Sequence, residues 1–344
     1  MHCVTIHSRA VPSSCGRIDR HADDAAPAYA DPMSTDARAP RTLSEHRPVD
    51  AEDLTIEVRA ARLSAVRVPA RTGDPATAPV ALLVPGFTGS KEDFFPLMGP
   101  LADRGFTVVA FSQRGQWGST GPGQAEPPVD ATGYELETLG QDVHHVVDAL
   151  AGVGGSGGRH VATDAAPAAP LGPVHLLGHS FGGVVGLQAL LSDPGRFASY
   201  THWNSGPRSR ADRSEQIAAV RAAGSAGLWP LWFLPEQLAG DDPEVEWFRT
   251  RLFGTASAQL LGALEIMQAQ TDRVEELRAT GIPVLVSHGD ADDAWPEEWQ
   301  RDMAERAGAR YEVVADAGHS AQVDQPEASA DLLADFWRGP APTT

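Results

Sequence analysis

Val174-His175-Leu176-Leu177-Gly178-His179-Ser180-Phe181-Gly182-Gly183 is the stretch on which the reading of this 344-residue chain turns. A short apolar run ends in Gly-His-Ser-Phe-Gly, and a small-residue helical pattern follows directly over 184–191. Strand, one sharp turn and helix form the setting in which G-x-S-x-G lifts a serine hydroxyl clear of a sheet edge. Such a turn strains the serine backbone and leaves no room for side chains two residues before and two after, where Gly178 and Gly182 stand. The N–H of Phe181 then opens the next helix beside the hydroxyl. In a chain with 34 glycines the motif also arises by chance, so a base and an acid have to be found elsewhere, in a workable order.

Outward from this stretch the chain alternates. Residues 54–68 carry loosely alternating apolar positions, as in a strand pair at a sheet edge. A continuous apolar run at 80–84 reads as a strand buried on both faces of a parallel sheet, and 106–111 reads as the next buried strand. Helices are expected at 92–104 and 134–150, and a further strand at 198–203. Over 208–280 the alternation stops, with helical pieces at 215–223, 243–253, 257–270 and 273–278 and no convincing strand. It resumes as strand 284–287, helix 297–307, strand 311–314 and helix 326–337. The expected fold is α/β: a mostly parallel, doubly wound sheet made of residues 49–207 and 281–338, with 208–280 inserted as a helical cap over the carboxyl ends of the strands. Residues 1–48 lack a hydrophobic period and read as a disordered tail, within which Met33 is a possible alternative start. The Gly/Ala/Pro stretch 152–173 reads as a surface loop; it lacks the Gly-Lys-Ser/Thr ending of a phosphate loop.

Composition removes several classes. A net charge of -19 argues against nucleic acid or an anionic membrane as partner. Both cysteines, Cys3 and Cys15, lie in the tail, so no disulfide framework holds the core. No apolar run is long enough to span a membrane and no secretory leader is evident, which makes the cytoplasm the expected location. No metal-ligand spacing or dinucleotide fingerprint occurs, and no metal or cofactor is expected. Oligomeric state leaves no signal.

A serine hydroxyl needs an adjacent base, itself held by an acid. His319, in Ala317-Gly318-His319-Ser320 after the last strand, is the candidate base. Against it stand His179 inside the turn, His202 and His288 near strand ends, and the helical pair His144-His145. The loop after strand 284–287 offers three carboxylates, Asp290, Asp292 and Asp293.

With these motifs in hand, residues 54–338 resemble the α/β-hydrolase family. The family's acid commonly lies three residues after the glycine of His-Gly and four before a proline; Gly289 and Pro296 therefore point to Asp292, with Asp290 as the alternative. Pro85-Gly86-Phe87 resembles the family's oxyanion loop with proline in place of histidine, which implies the backbone N–H groups of Phe87 and Phe181 as the oxyanion site. Arg114-Gly115-Gln116-Trp117-Gly118-Ser119 resembles the family's R-G-x-G-x-S loop with Trp117 inserted, and implies a supporting role.

The resemblance implies a serine hydrolase acting on a small-molecule carboxylic ester, with Ser180, Asp292 and His319 as nucleophile, acid and base. Thioester, amide and C–C hydrolases share this triad, and a binding protein on the same scaffold is the alternative from another class. Within the expected cap, Trp229, Trp232 and Phe233 offer either an aromatic wall for an acyl group or the cap's own small core.

Overall fold

The computed structural model describes residues 43–122, 127–152, 160–162, 171–232 and 242–339. Its strands are β1 (Glu52–Val58), β2 (Ala61–Val68), β3 (Val80–Val84), β4 (Thr107–Phe111), β5 (His160–Ala162), β6 (Val174–His179), β7 (Ser199–Trp203), β8 (Val284–Gly289) and β9 (Arg310–Val314). They form one nine-stranded sheet in the order β5-β1-β2-β4-β3-β6-β7-β8-β9. Only β1–β2 and β2–β4 pair antiparallel; every other pairing is parallel.

Helices α1 (Phe95–Asp103), α2 (Leu136–Gly152) and α3 (Phe181–Ser192) follow β3, β4 and β6. After β7 come α4 (Ser214–Ala223), α5 (Ser225–Trp232), α6 (Pro243–Phe253), α7 (Ser257–Ala269) and α8 (Val274–Ala279). Helix α9 (Glu297–Ala307) links β8 to β9, and α10 (Ala321–Asp324) and α11 (Pro326–Arg338) close the described chain.

The apolar runs occupy the middle of the sheet because both faces there are covered. Leu82 and Leu176 join one buried cluster with α2 and α3, while Leu83 and Leu177, one residue on, join a second with α1 and α11. Each such side chain contributes about 1.5–3 kcal/mol on burial. Among the described residues no helix is long and apolar enough to cross a membrane.

Four features depart from the sequence expectations. Residues 43–48, assigned to the disordered tail, include a 3-10 turn at Leu43–His46; Arg47 behind it pairs with Asp53 at 3.0 Å and lies over the Phe95 ring. The remainder of that tail lies outside the described residues. Within the expected loop 152–173, strand β5 pairs in parallel with the open edge of β1, and three residues are too few to show a period. Helix α5 went unrecognised because its stretch is apolar throughout and holds Pro230; burial of Leu228 and Trp232, four residues apart on one face, outweighs the proline. The helix expected at 92–104 begins as a 3-10 turn, Lys91–Phe94, before α1.

One buried ion pair ties the loop after β4 to α2. Arg114 donates to both oxygens of Asp142, Nε at 2.6 Å and Nη2 at 2.7 Å, and Nη1 reaches the Gly133 carbonyl at 3.0 Å. Removing one partner leaves the other charge uncompensated in the interior, so Arg114→Met is expected to cost about 3–5 kcal/mol. Urea unfolding midpoints measure this, and Arg114→Met/Asp142→Leu is expected to recover much of the loss.

Candidate active site

Ser180 occupies the turn between β6 and α3 at φ 54°, ψ -121°, a conformation rare for any residue but glycine. The surrounding backbone holds it there. Its N–H donates to the Trp203 carbonyl at 2.9 Å, and its own carbonyl accepts from Gly183 N–H and from Ser205 Oγ, each at 2.8 Å. A Cβ at Gly178 would come within 2.3 Å of the Gly182 carbonyl oxygen, and one at Gly182 within 2.2 Å of the Val84 carbonyl oxygen. Any larger residue at either position would push β6, α3 and β3 apart.

The candidate acid and base, Asp292 and His319, lie on the loops after β8 and β9. His319 Nδ1 lies 2.9 Å from Asp292 Oδ1. The same oxygen accepts from Ala294 N–H at 3.0 Å, and Oδ2 accepts from Asn204 Nδ2 at 3.0 Å. Burial opposes the charge on Asp292, but the hydrogen bond and charge of His319, with the Ala294 and Asn204 donors, outweigh it and hold the carboxyl at about 2. Asp290 is occupied otherwise, accepting from the N–H groups of Asp316 and Ala317 at 3.1 Å each and so bracing the histidine loop.

Asn204 also donates to the Gly318 carbonyl at 3.0 Å, so one side chain spans the acid and base loops. Sequence reasoning missed it. It follows β7 at φ 47°, which asparagine tolerates, and nothing in the sequence marks it as a neighbour of residues 292 and 318.

His179 is buried beside the serine and turned away from it, toward the His319 carbonyl, to which its Nε2–H donates at 2.8 Å. Its ring centroid is 5.1 Å from that of His319, which brings the base loop against the serine turn. Burial, helped by the charge of His319, pushes His179 down to about 3 and keeps it neutral. The Trp295 ring borders His319 on another side, at 6.2 Å.

The turn after β3 abuts the serine: a Cβ at Gly86 would meet Ser180 Cβ at 3.0 Å. Gln113 Nε2 donates to the Pro85 carbonyl and Gln116 Nε2 to the Gly86 carbonyl, each at 2.8 Å. The loop holding Arg114 to Ser119 thus fixes the strip of backbone that carries Phe87. Trp117, the extra residue in that loop, meets Trp247 of α6 edge-on at 6.1 Å.

Of the expected aromatic wall, Trp232 meets Phe87 edge-on at 5.7 Å, and Phe248 lies 6.0 Å from Trp232. Trp229 stacks on Phe248 at 6.4 Å, one ring further out. Phe233 lies outside the described residues. Among the described residues no group of three or more His, Cys, Asp or Glu side chains is placed to hold a metal ion.

The sequence pattern of the Alpha/beta hydrolase family matches residues 81–332. Two proteins named "Putative carbamate hydrolase RutD" are similar in sequence. That of Variovorax paradoxus (strain S110) is 32% identical over 137 residues, 40% of this chain and 42% of its own length. That of Caulobacter sp. (strain K31) is 25% identical over 270 residues, 76% of this chain and 91% of its own. Among solved structures, a hydrolase from Pseudomonas aeruginosa PA01 superposes with a TM-score of 0.62 at 26% identity, covering 85% of this chain and 99% of that one. The enol-lactonase from Burkholderia xenovorans LB400 gives 0.63 at 21% identity over 83% and 99%, a likeness of fold.

Because Asp292 is held below the usual aspartate range, at about 2, its ionisation stabilises the fold above the unfolded-state pKa. That contribution is complete above about pH 5 and fades as the pH falls through 4 toward 2. The stability gap between wild type and Asp292→Asn, about 2 kcal/mol at neutral pH, is expected to shrink over that interval in urea titrations.

Proposed function

This chain belongs to the alpha/beta hydrolase family, and from that premise we propose that it is a serine hydrolase of carboxylic esters working through an acyl-enzyme on Ser180. The observation that carries the reading is the 2.9 Å contact between His319 Nδ1 and Asp292 Oδ1, on a loop that packs against the residue preceding Ser180. A carboxylate can only accept, so Nδ1 holds the proton and Nε2 is left as the base.

In the proposed reaction Ser180 Oγ attacks the acyl carbon as its proton passes to His319 Nε2. The carbonyl electron pair moves onto oxygen, where the N–H groups of Phe87 and Phe181 bind it; one such donor is worth about 10²–10³ in rate. Collapse breaks the bond to the alcohol, which leaves with the proton from Nε2. Water then attacks the acyl-enzyme by the same route, giving the acid and free Ser180. Asp292 stays ionised throughout and stabilises the imidazolium. Asn204 keeps the acid and base loops in register.

Residues 208–280 act as a cap in this reading. Phe87, Trp232 and Phe248 present an apolar wall to the acyl group, with Trp229 behind them. A second reading is favoured by the names of the two sequence relatives: Ser180, assisted by His319 and Asp292, would attack a carbamate carbonyl and expel ammonia, and loss of carbon dioxide would then free the serine.

The test is hydrolysis of p-nitrophenyl esters across acyl lengths, with carbamate and ammonia release assayed beside them. Wild type is expected to turn over the esters and to be labelled by a fluorophosphonate. Ser180→Ala is expected to lose about 10⁴-fold or more in kcat together with the label. Carbamate turnover without ester turnover would replace the first reading by the second. Labelling that survives Ser180→Ala would remove Ser180 as nucleophile.

A further inference from the structure

Three consecutive charged side chains, Lys91, Glu92 and Asp93, are buried directly behind the turn that carries Phe87. Lys91 Nζ donates to Glu92 Oε1 at 2.6 Å, while Glu92 Oε2 is buried without a hydrogen-bond partner. Asp93 takes its partner from the helical segment instead: Oδ1 accepts from Arg251 Nη1 of α6, and both side chains are almost fully enclosed. The other oxygen, Oδ2, accepts from the backbone N–H of Ser90 at 3.1 Å. The turn is wound so tightly on this carboxylate that a Cβ at Gly89 would lie 2.4 Å from Oδ2. One carboxylate therefore joins a helix of the 208–280 segment to the backbone holding the Phe87 N–H.

A second path runs between the same two places. The Arg251 guanidinium lies 5.8 Å from the centre of the Phe248 ring, Phe248 is 6.0 Å from Trp232, and Trp232 meets Phe87 at 5.7 Å. Phe87, Trp232, Phe248, Arg251, Asp93 and Ser90 thus form a closed circuit, half aromatic and half polar.

We infer that the Arg251–Asp93 pair is a latch by which the helical segment positions the Phe87 N–H at the oxyanion site. Arg251 and Asp93 are positioning residues, since they reach the reacting atoms only through the turn. The inference rests on the proposed role of Phe87 as an oxyanion donor. Its physical ground is that a buried ion pair adds little net stability, whereas the planar guanidinium holds its partner in one geometry. Oxyanion donors work by being aimed in advance, so small displacements of the turn reduce the rate of the chemical step and leave substrate binding nearly alone.

The test uses the full chain with Arg251→Met, Arg251→Lys and the near-isosteric Asp93→Asn, which guards against a folding failure in the first. Steady-state kinetics on p-nitrophenyl acetate and amide hydrogen exchange over residues 85–95 are measured for each. Arg251→Met and Asp93→Asn are expected to lose about 10–100-fold in kcat with KM within about threefold of wild type. Exchange over 85–90 is expected to speed up about tenfold or more while β3 and β6 stay protected. Arg251→Lys is expected to recover part of both. Variants that melt earlier yet keep wild-type kcat and wild-type exchange over 85–90 would overturn the latch and leave the pair as a fastening between segments. Fluorophosphonate labelling of wild type but not Ser180→Ala keeps the two questions apart. Its failure overturns the serine-hydrolase reading, whereas intact labelling with unchanged kcat and exchange in the Arg251 and Asp93 variants overturns the latch alone.

Discussion

The backbone of Ser180 is held at φ 54° by strands on either side of it. β6 is paired with β3 and β7 along its length, so the chain leaves the sheet at a fixed point and direction. The Ser180 N–H is then engaged by the Trp203 carbonyl at the end of β7, and the carbonyls of Val84 and Gly182 close over positions that only glycine can occupy. A strained residue persists when its surroundings over-determine it. Here the rigid middle of a parallel sheet supplies that constraint, and Asp292, His319 and the turn bearing Phe87 are all placed relative to it.

Electrostatics in the site follow from the same packing. Asp292 is enclosed, which by itself would favour its neutral form, yet three kinds of donor converge on it and keep it charged. His179 is enclosed with fewer compensations and is driven neutral, so a second imidazole beside His319 adds a hydrogen bond without adding charge. Asn204 joins the loop after β8 to the loop after β9 through one side-chain amide. These are different outcomes of one rule: a buried ionisable group keeps its charge only where partners offset its desolvation.

Much of this was legible in the chain itself. The central strands announced themselves as continuous apolar runs because each is covered on both faces, and the order of Ser180, Asp292 and His319 could be read from the loops that follow strands. The choice of Asp292 over Asp290 came from a resemblance, and the hydrogen bonds show the physical difference: one carboxylate faces His319 and the other ties down backbone N–H groups. Helix α5 was hidden because an all-apolar stretch with a proline has no period, and strand β5 because three residues cannot display one.

What the sequence by itself determined is local or repetitive: hydrophobic periods, glycines where backbones touch, and Ser180, Asp292 and His319 each standing on a loop or turn that follows a strand. What only the tertiary structure decided is who meets whom across long separations. Asn204 reaches Asp292, Arg251 reaches Asp93, and Trp117 reaches Trp247, although no spacing or composition links the members of any pair. The physical reason is that a side chain's partner is set by how crossovers and inserted helices stack on the sheet. A strand's burial leaves a pattern along the chain, while a contact between distant loops leaves none.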